Sequence, residues 1–156
     1  VKLLKRRVEA GGAVFERDVV VFGEAAVVVP ILGSGRVVMV RQWRPAVGGW
    51  VLEVPAGRLE PGEDPREAAR RELEEETGYE AGELVELGSF YATPGYSDEV
   101  MHLYAALKLT RRAAHPEVGE VLRVVEVDPR EYLSSGGVRD LKSVAALLLC
   151  AQRGLL

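Results

Sequence analysis

The stretch from Gly57 to Tyr79, GRLEPGEDPREAARRELEEETGY, constrains this chain of 156 residues more than any other part of it. It reads as a loop followed by one helix. Asp64 is a good N-cap, Pro65 suits the first helical position, and Glu67, three residues after the cap, completes a capping-box pattern. Gly78 offers the left-handed conformation that ends a helix. The spacing therefore predicts a helix from Pro65 to Thr77, roughly 20 Å long at about 1.5 Å per residue. On a wheel of about 100° per residue, Ala68, Ala69 and Leu73 share a sector with Glu72 and Glu76. Two inward glutamates one turn apart, near the negative end of the helix dipole, repel each other and lose hydration unless a cation joins them. The opposite side, with Arg66, Glu67, Arg70, Arg71 and Glu74, is expected to be solvated surface carrying Glu67–Arg71 and Arg70–Glu74 pairs. Carboxylate oxygens combined with water and a phosphate suit Mg2+ or Mn2+, with Glu75 at the edge of the inward face as a further ligand.

Composition narrows the field. At 156 residues and 47% hydrophobic, residues 1–156 fit one globular domain with a real core. A formal net charge of −4 leaves no basic stripe for a nucleic-acid backbone, so the expected partner is a small anionic molecule met through metal. The single cysteine, Cys150, lies in the apolar run VAALLLCA and is expected as a buried core thiol, which fits a reducing compartment. No run approaches the length of a membrane span, and VKLLKRRVEAGG lacks a signal-peptide apolar region. A cytoplasmic protein with no membrane partner is the expectation.

Around the central stretch, residues 2–22 read as two short strands broken by Ala10-Gly11-Gly12, a small N-terminal sheet. AAVVVPIL and RVVMVRQW are β-branched runs separated by Gly33-Ser34-Gly35, a hairpin signal, and are expected in the main sheet. Val51 to Val54 is a strand feeding the loop at Pro55-Ala56-Gly57. Leu84 to Tyr91, Val100 to Leu109 and Leu122 to Val127 are further strands. A short helical turn at Pro129 to Leu133 precedes a helix from about Val138 to Gln152, whose expected apolar stripe is Val144, Leu147, Leu148 and Ala151. Helices before and after the strands favour an α/β fold, a mixed sheet covered on both faces.

Gly57, Glu63, Arg71-Glu72-Leu73, Glu75-Glu76 and Gly78 together resemble the Nudix box of the nucleoside-diphosphate-linked-X hydrolases. Every charged and glycine position matches; Tyr79 replaces the usual aliphatic residue. The resemblance implies the Nudix α/β/α sandwich, with metal ions held by Glu72, Glu75, Glu76 and the Ala56 carbonyl, Glu76 also counting among the catalytic carboxylates. In this scheme Arg71 fixes a box glutamate by an ion pair rather than touching substrate. Arg41-Gln42-Trp43-Arg44-Pro45-Ala46 and Leu52-Glu53-Val54-Pro55-Ala56-Gly57 resemble segments preceding the box in ADP-ribose pyrophosphatases. There Arg44 matches an arginine that holds a substrate phosphate, a task suited to its two-pronged fork, and Glu53 a glutamate near the substrate.

Downstream, the loop Tyr91 to Glu99, with Pro94-Gly95, resembles the loop that marks the same subgroup and presents Glu99 toward a ribose or phosphate edge. The loop Ala113 to Gly119 and the residue after it carry Glu117 and Glu120, one of which the resemblance makes the catalytic acid or base. Glu120 matches the acidic position just before the next strand. His102 and His115 belong to no spaced cluster and are expected to be structural. The implied reaction is ADP-ribose plus water to AMP plus ribose 5-phosphate. The alternatives are hydrolysis of another nucleoside diphosphate derivative such as GDP-mannose, NADH or a diadenosine polyphosphate, or a catalytically silent nucleotide-binding relative. Relatives of the subgroup are commonly homodimers joined through an N-terminal sheet.

Overall fold

The computed structural model describes residues 1–112 and 122–156. Strands β1 (Lys2–Ala10) and β2 (Ala13–Val21) form an antiparallel hairpin in continuous register from Lys2↔Val21 to Ala10↔Ala13. Gly11 and Gly12 at its tip both hold positive φ, 60° and 77°, which matches the twist a two-residue hairpin turn needs. The hairpin is tied to the body where Val20 N–H donates to the Tyr96 carbonyl at 2.7 Å and Asp98 accepts from the Phe22 N–H at 2.6 Å.

The central layer is a mixed sheet in the order β6 (Ala56–Arg58), β3 (Glu24–Pro30), β8 (Val100–Arg111), β7 (Tyr79–Tyr91). β3 and β8 run parallel and the other neighbours antiparallel. β3 is apolar without alternation because both of its faces are covered. Ala26 and Val28 join Tyr104, Ala106 and Leu84 beneath Ala68, Ala69 and Leu73 of α1 (Pro65–Thr77). On the other face Val27 and Val29 pack with Leu103, Ala105 and Leu87 against Tyr132 of α2 (Pro129–Ser134) and Ala146, Leu147 and Cys150 of α3 (Leu141–Gln152). This is the expected α/β/α layering.

A second sheet, in the order β5 (Gly49–Glu53), β4 (Val37–Arg44), β9 (Leu122–Val127), lies alongside and is wholly antiparallel. The hairpin expected between β3 and β4 is corrected here. The turn itself forms, with the Leu32 N–H donating to the Arg36 carbonyl at 2.9 Å, but pairing stops after the single bridge Ile31↔Val37. β4 then pairs from Val37 to Gln42 with β9, so the two runs belong to different sheets.

Two further boundaries differ. β6 was not expected as a strand, and β7 begins at Tyr79, directly after α1, rather than at Leu84. α3 starts at Leu141 because Asp140 caps it, accepting from the Ser143 N–H at 3.0 Å. Its buried face is Ser143, Ala146, Leu147 and Cys150, while Leu148 is 53% exposed, so the stripe is rotated from the one expected. Cys150 is buried as anticipated. Among the described residues no helix is long and apolar enough to cross a membrane.

Candidate functional site

The site is built on α1 and the strand end that precedes it. Asp64 accepts from the backbone N–H groups of Arg66 and Glu67 at 2.9 and 3.4 Å, Pro65 occupies the first turn, and Gly78 closes the helix at φ 71°, its N–H donating to the Glu74 carbonyl. Between these caps Ala68, Ala69 and Leu73 are fully buried and fix the rotation of the helix. Glu72 and Glu76 are thereby carried inward, to 8% and 2% exposure. Glu76 Oε2 accepts from the Ala56 N–H at 3.3 Å.

Gly57, one residue along β6, lies directly against the other carboxylate. A Cβ at Gly57 would fall 1.9 Å from Glu72 Oε1, so a glycine is required by close approach. The same strand end thus meets both inward glutamates.

The outer face of the helix is not the plain solvated surface expected. Arg71 is largely covered and acts as a hub. Its Nε and Nη2 donate to the two Glu63 oxygens at 2.9 and 3.0 Å. Its Nη1 donates to Glu72 Oε1 at 2.7 Å and Glu75 Oε2 at 3.1 Å, and Nη2 also reaches the Arg58 carbonyl at 3.0 Å. Glu63 foremost holds the Arg71 pKa above its ordinary value, and Arg71 holds Glu63 below the usual carboxylate range. The expected Glu67–Arg71 pair is replaced by these contacts. Arg70 meets Glu67 at 3.7 Å instead, and Arg66 and Arg70 donate to the β7 carbonyls of Leu84 and Ala81, both at 2.8 Å. Arg71 also offsets part of the expected repulsion between inward carboxylates, because one cation serves Glu63, Glu72 and Glu75 together.

Facing this group, the ends of β4 and β5 carry Arg44 and Glu53. Glu53 is 3% exposed and is gripped in a bidentate fork, Arg44 Nε to Oε1 at 2.7 Å and Nη2 to Oε2 at 2.8 Å. Lys142, from the first turn of α3, also donates to Glu53 Oε2 and to Asp140 Oδ2, the latter at 3.0 Å. Burial pushes the Glu53 carboxyl upward, but Arg44 and Lys142 outweigh it and hold it below the usual range. Glu99, immediately before β8, is half-buried, and that burial raises its pKa against the opposing fields of Lys142 and Arg58.

The structure therefore brings Ala56, Glu72 and Glu76 together, links Glu75 to Glu72 through Arg71, and joins Arg44 to Glu53. Glu117, Glu120 and His115 lie outside the described residues. His102 bridges strands, its Nδ1 2.8 Å from Ser89 Oγ and its Nε2 2.6 Å from Glu24 Oε2. Lys142 and Asp140 were missed by sequence reasoning, since a lysine one turn into an apolar helix carries no local sign of a partner on a distant strand.

A hard divalent cation fits this donor set. Among the described residues no group of three or more His, Cys, Asp or Glu side chains is gathered so as to hold a metal ion. Mg2+ keeps several waters and is bound through one or two carboxylates plus substrate phosphates rather than in a closed protein cage. Buried Glu72 and Glu76, with the more exposed Glu75 at the rim, are oxygen donors of that kind.

Comparison with known proteins agrees with this geometry. The NUDIX domain family model matches residues 21–148. The ADP-ribose pyrophosphatase of Bacillus subtilis is 36% identical over 141 residues, covering 87% of this chain and 76% of that protein. The methanol dehydrogenase activator of Bacillus methanolicus is 39% identical over the same shares of both chains. A crystal structure of an ADP compounds hydrolase superposes with a TM-score of 0.82 at 25% identity, covering 97% of this chain and 85% of that one.

Proposed function

The chain belongs to the NUDIX family of hydrolases, and from that premise we propose that it cleaves the pyrophosphate linkage of ADP-ribose to AMP and ribose 5-phosphate with a divalent cation, Mg2+ or Mn2+. The observation that carries the reading is the double use of one strand end. Its Ala56 N–H meets Glu76 and its Gly57 meets Glu72, so two buried carboxylates converge on one strand end. The relation to the ADP-ribose pyrophosphatase of Bacillus subtilis over most of both chains supports the choice of substrate.

Pyrophosphate is inert because the anionic oxygens around each phosphorus repel an anionic nucleophile. A bound divalent cation supplies charge neutralisation and acidifies a water. Glu72, Glu75, Glu76 and the Ala56 carbonyl would hold it. Arg71 fixes Glu63, Glu72 and Glu75 in place before substrate arrives, which is preorganisation of the kind that lowers a barrier. The Arg44 guanidinium, its one edge locked on Glu53, has its remaining N–H groups for a phosphate, and Glu99 faces a ribose or phosphate edge. The proton acceptor is assigned to Glu120, with Glu117 as the alternative. Homodimer formation through the β1–β2 hairpin is part of the same reading, supported by the exposure of Leu3 and Val14 on it.

The test is a substrate panel. ADP-ribose should show a higher kcat/KM than GDP-mannose, NADH and diadenosine polyphosphates when all are assayed with the same cation. A preference for one of the others would keep the chemistry and reassign the leaving groups, which the loops flanking the box select.

A further inference from the structure

We propose that Lys142 is a positioning residue of the active site, acting through Glu53 to hold Arg44 in the orientation that meets a substrate phosphate. The inference deepens the reading of Arg44 as a phosphate-holding residue and rests on it.

A closed circuit of hydrogen bonds carries it. From Glu53, the path runs to Lys142 Nζ, on to Asp140 Oδ2 at 3.0 Å, to the Ser143 hydroxyl, which donates to that same Asp140 oxygen at 2.5 Å, and back to the strand where the Val54 N–H donates to Ser143 Oγ at 2.8 Å. The circuit begins and ends on adjacent residues, Glu53 and Val54, the second of them two positions before Ala56. Its members are covered: Ser143 is fully buried, Glu53 nearly so, and the Lys142 side chain retains 15% exposure. Two cations, Arg44 and Lys142, balance two anions, Glu53 and Asp140, so the cluster can remain ionised out of water.

The asymmetry at Glu53 sets the role. Arg44 is 41% exposed at its side chain and Lys142 only 15%, so Arg44 is the cation open to solvent and Lys142 the covered one that backs the carboxylate. A carboxylate held from behind presents both oxygens to the arginine fork and fixes its plane. Without Lys142, Glu53 has one cation instead of two, and a phosphate reaching Arg44 must compete with a buried carboxylate that has no other counter-charge. The phosphate then binds more weakly, while the box carboxylates on α1 are untouched. The Lys142 ammonium is engaged by Glu53 and Asp140, on the Arg44 side of the site, so its effect should appear in substrate binding rather than in the chemical step.

Lys142→Met should raise KM for ADP-ribose about tenfold, the equivalent of one charge-assisted hydrogen bond, with kcat within about threefold of the parent. Lys142→Arg should restore most of the loss. A double-mutant cycle distinguishes positioning from general support of the fold. In an Arg44→Ala background the added effect of Lys142→Met on KM should shrink below about twofold, because the residue through which it acts is gone. If Lys142→Met does not fold, Lys142→Gln, which keeps a donor and removes the charge, takes its place in the same cycle. Multiplicative effects in the cycle, an unchanged KM, or a loss confined to kcat would each overturn the role of Lys142 while leaving the reading of Arg44 intact. If Arg44→Ala alone leaves KM unchanged, the phosphate role of Arg44 fails, and the inference with it.

Discussion

Gly57→Ala isolates the contact on which the site turns. The Gly57 backbone lies outside the positive-φ region, so an alanine there is not strained by conformation; the only obstacle is its methyl group. Built on the existing backbone, that carbon lies 1.9 Å from Glu72 Oε1 and 2.1 Å from Cδ, whereas real Cβ contacts essentially never fall below 3.0 Å. The carboxylate must retreat by more than about 1 Å, a misplacement that can cost about 100-fold in rate. It cannot swing freely, because Arg71 Nη1 holds Oε1 at 2.7 Å and the residue is 8% exposed. Overpacking of this kind costs about 1–3 kcal/mol, and each kcal/mol lowers Tm by about 2–4 °C for a chain of this size. Steady-state turnover and calorimetry, in the parent and in a Glu72→Ala background, give the assay. Gly57→Ala should lose about 100-fold in kcat, and its Tm penalty should nearly vanish once the Glu72 carboxylate is absent. Parent-like turnover, or the same Tm loss in both backgrounds, would refute the reasoning.

Three further outcomes follow from the same geometry. Added Mg2+ or Mn2+ should raise Tm, with stabilisation of about 2.7 kcal/mol at one hundred times Kd, and a chelator should reverse it; Glu72→Gln with Glu76→Gln should lose most of that response, and an equal response would mean that the cation binds elsewhere. Arg44→Ala should raise KM for ADP-ribose more than it lowers kcat, as expected for an interaction already made in the ground state, and a fall in kcat alone would contradict this. Burial pushes the Cys150 thiol up to about 12, so a thiol-specific reagent at pH 8 should leave the native protein unmodified and react only on unfolding. Because the raised value disfavours the thiolate in the fold, that contribution to stability is present below the ordinary thiol pKa of 9.0 and is lost as pH rises toward 12.

What could be read directly was local. Asp64, Pro65 and Gly78 define α1 within one stretch, and the small residues Ala68 and Ala69 with Leu73 leave only one face to bury, so the inward turn of Glu72 and Glu76 was legible. The phase of α3 was not, because VAALLLCA is apolar on every side; its rotation is set by Ser143, whose hydroxyl accepts from the Val54 N–H on another element. Gly33-Ser34-Gly35 announced a turn but could not say how far pairing would extend, since the longer pairing of β4 is with β9, 80 to 90 residues away in register. Arg71 was expected to hold a glutamate, and it does. That it gathers three, and so ceases to be a surface residue, depends on the loop folding Glu63 back onto the helix. The Arg44–Glu53–Lys142 cluster combines residues from β4, β5 and α3, and no periodicity connects them.

The central claim is that carboxylates on the inner face of α1 support cation-dependent hydrolysis of a nucleoside diphosphate linkage. Its most direct test is to incubate the protein with ADP-ribose and Mg2+ and to identify the products. The expected result is AMP and ribose 5-phosphate in equal amounts, abolished by a chelator and restored by excess Mg2+. Recovery of intact ADP-ribose under those conditions with Mg2+ and with Mn2+, or product formation that a chelator does not touch, would contradict the account.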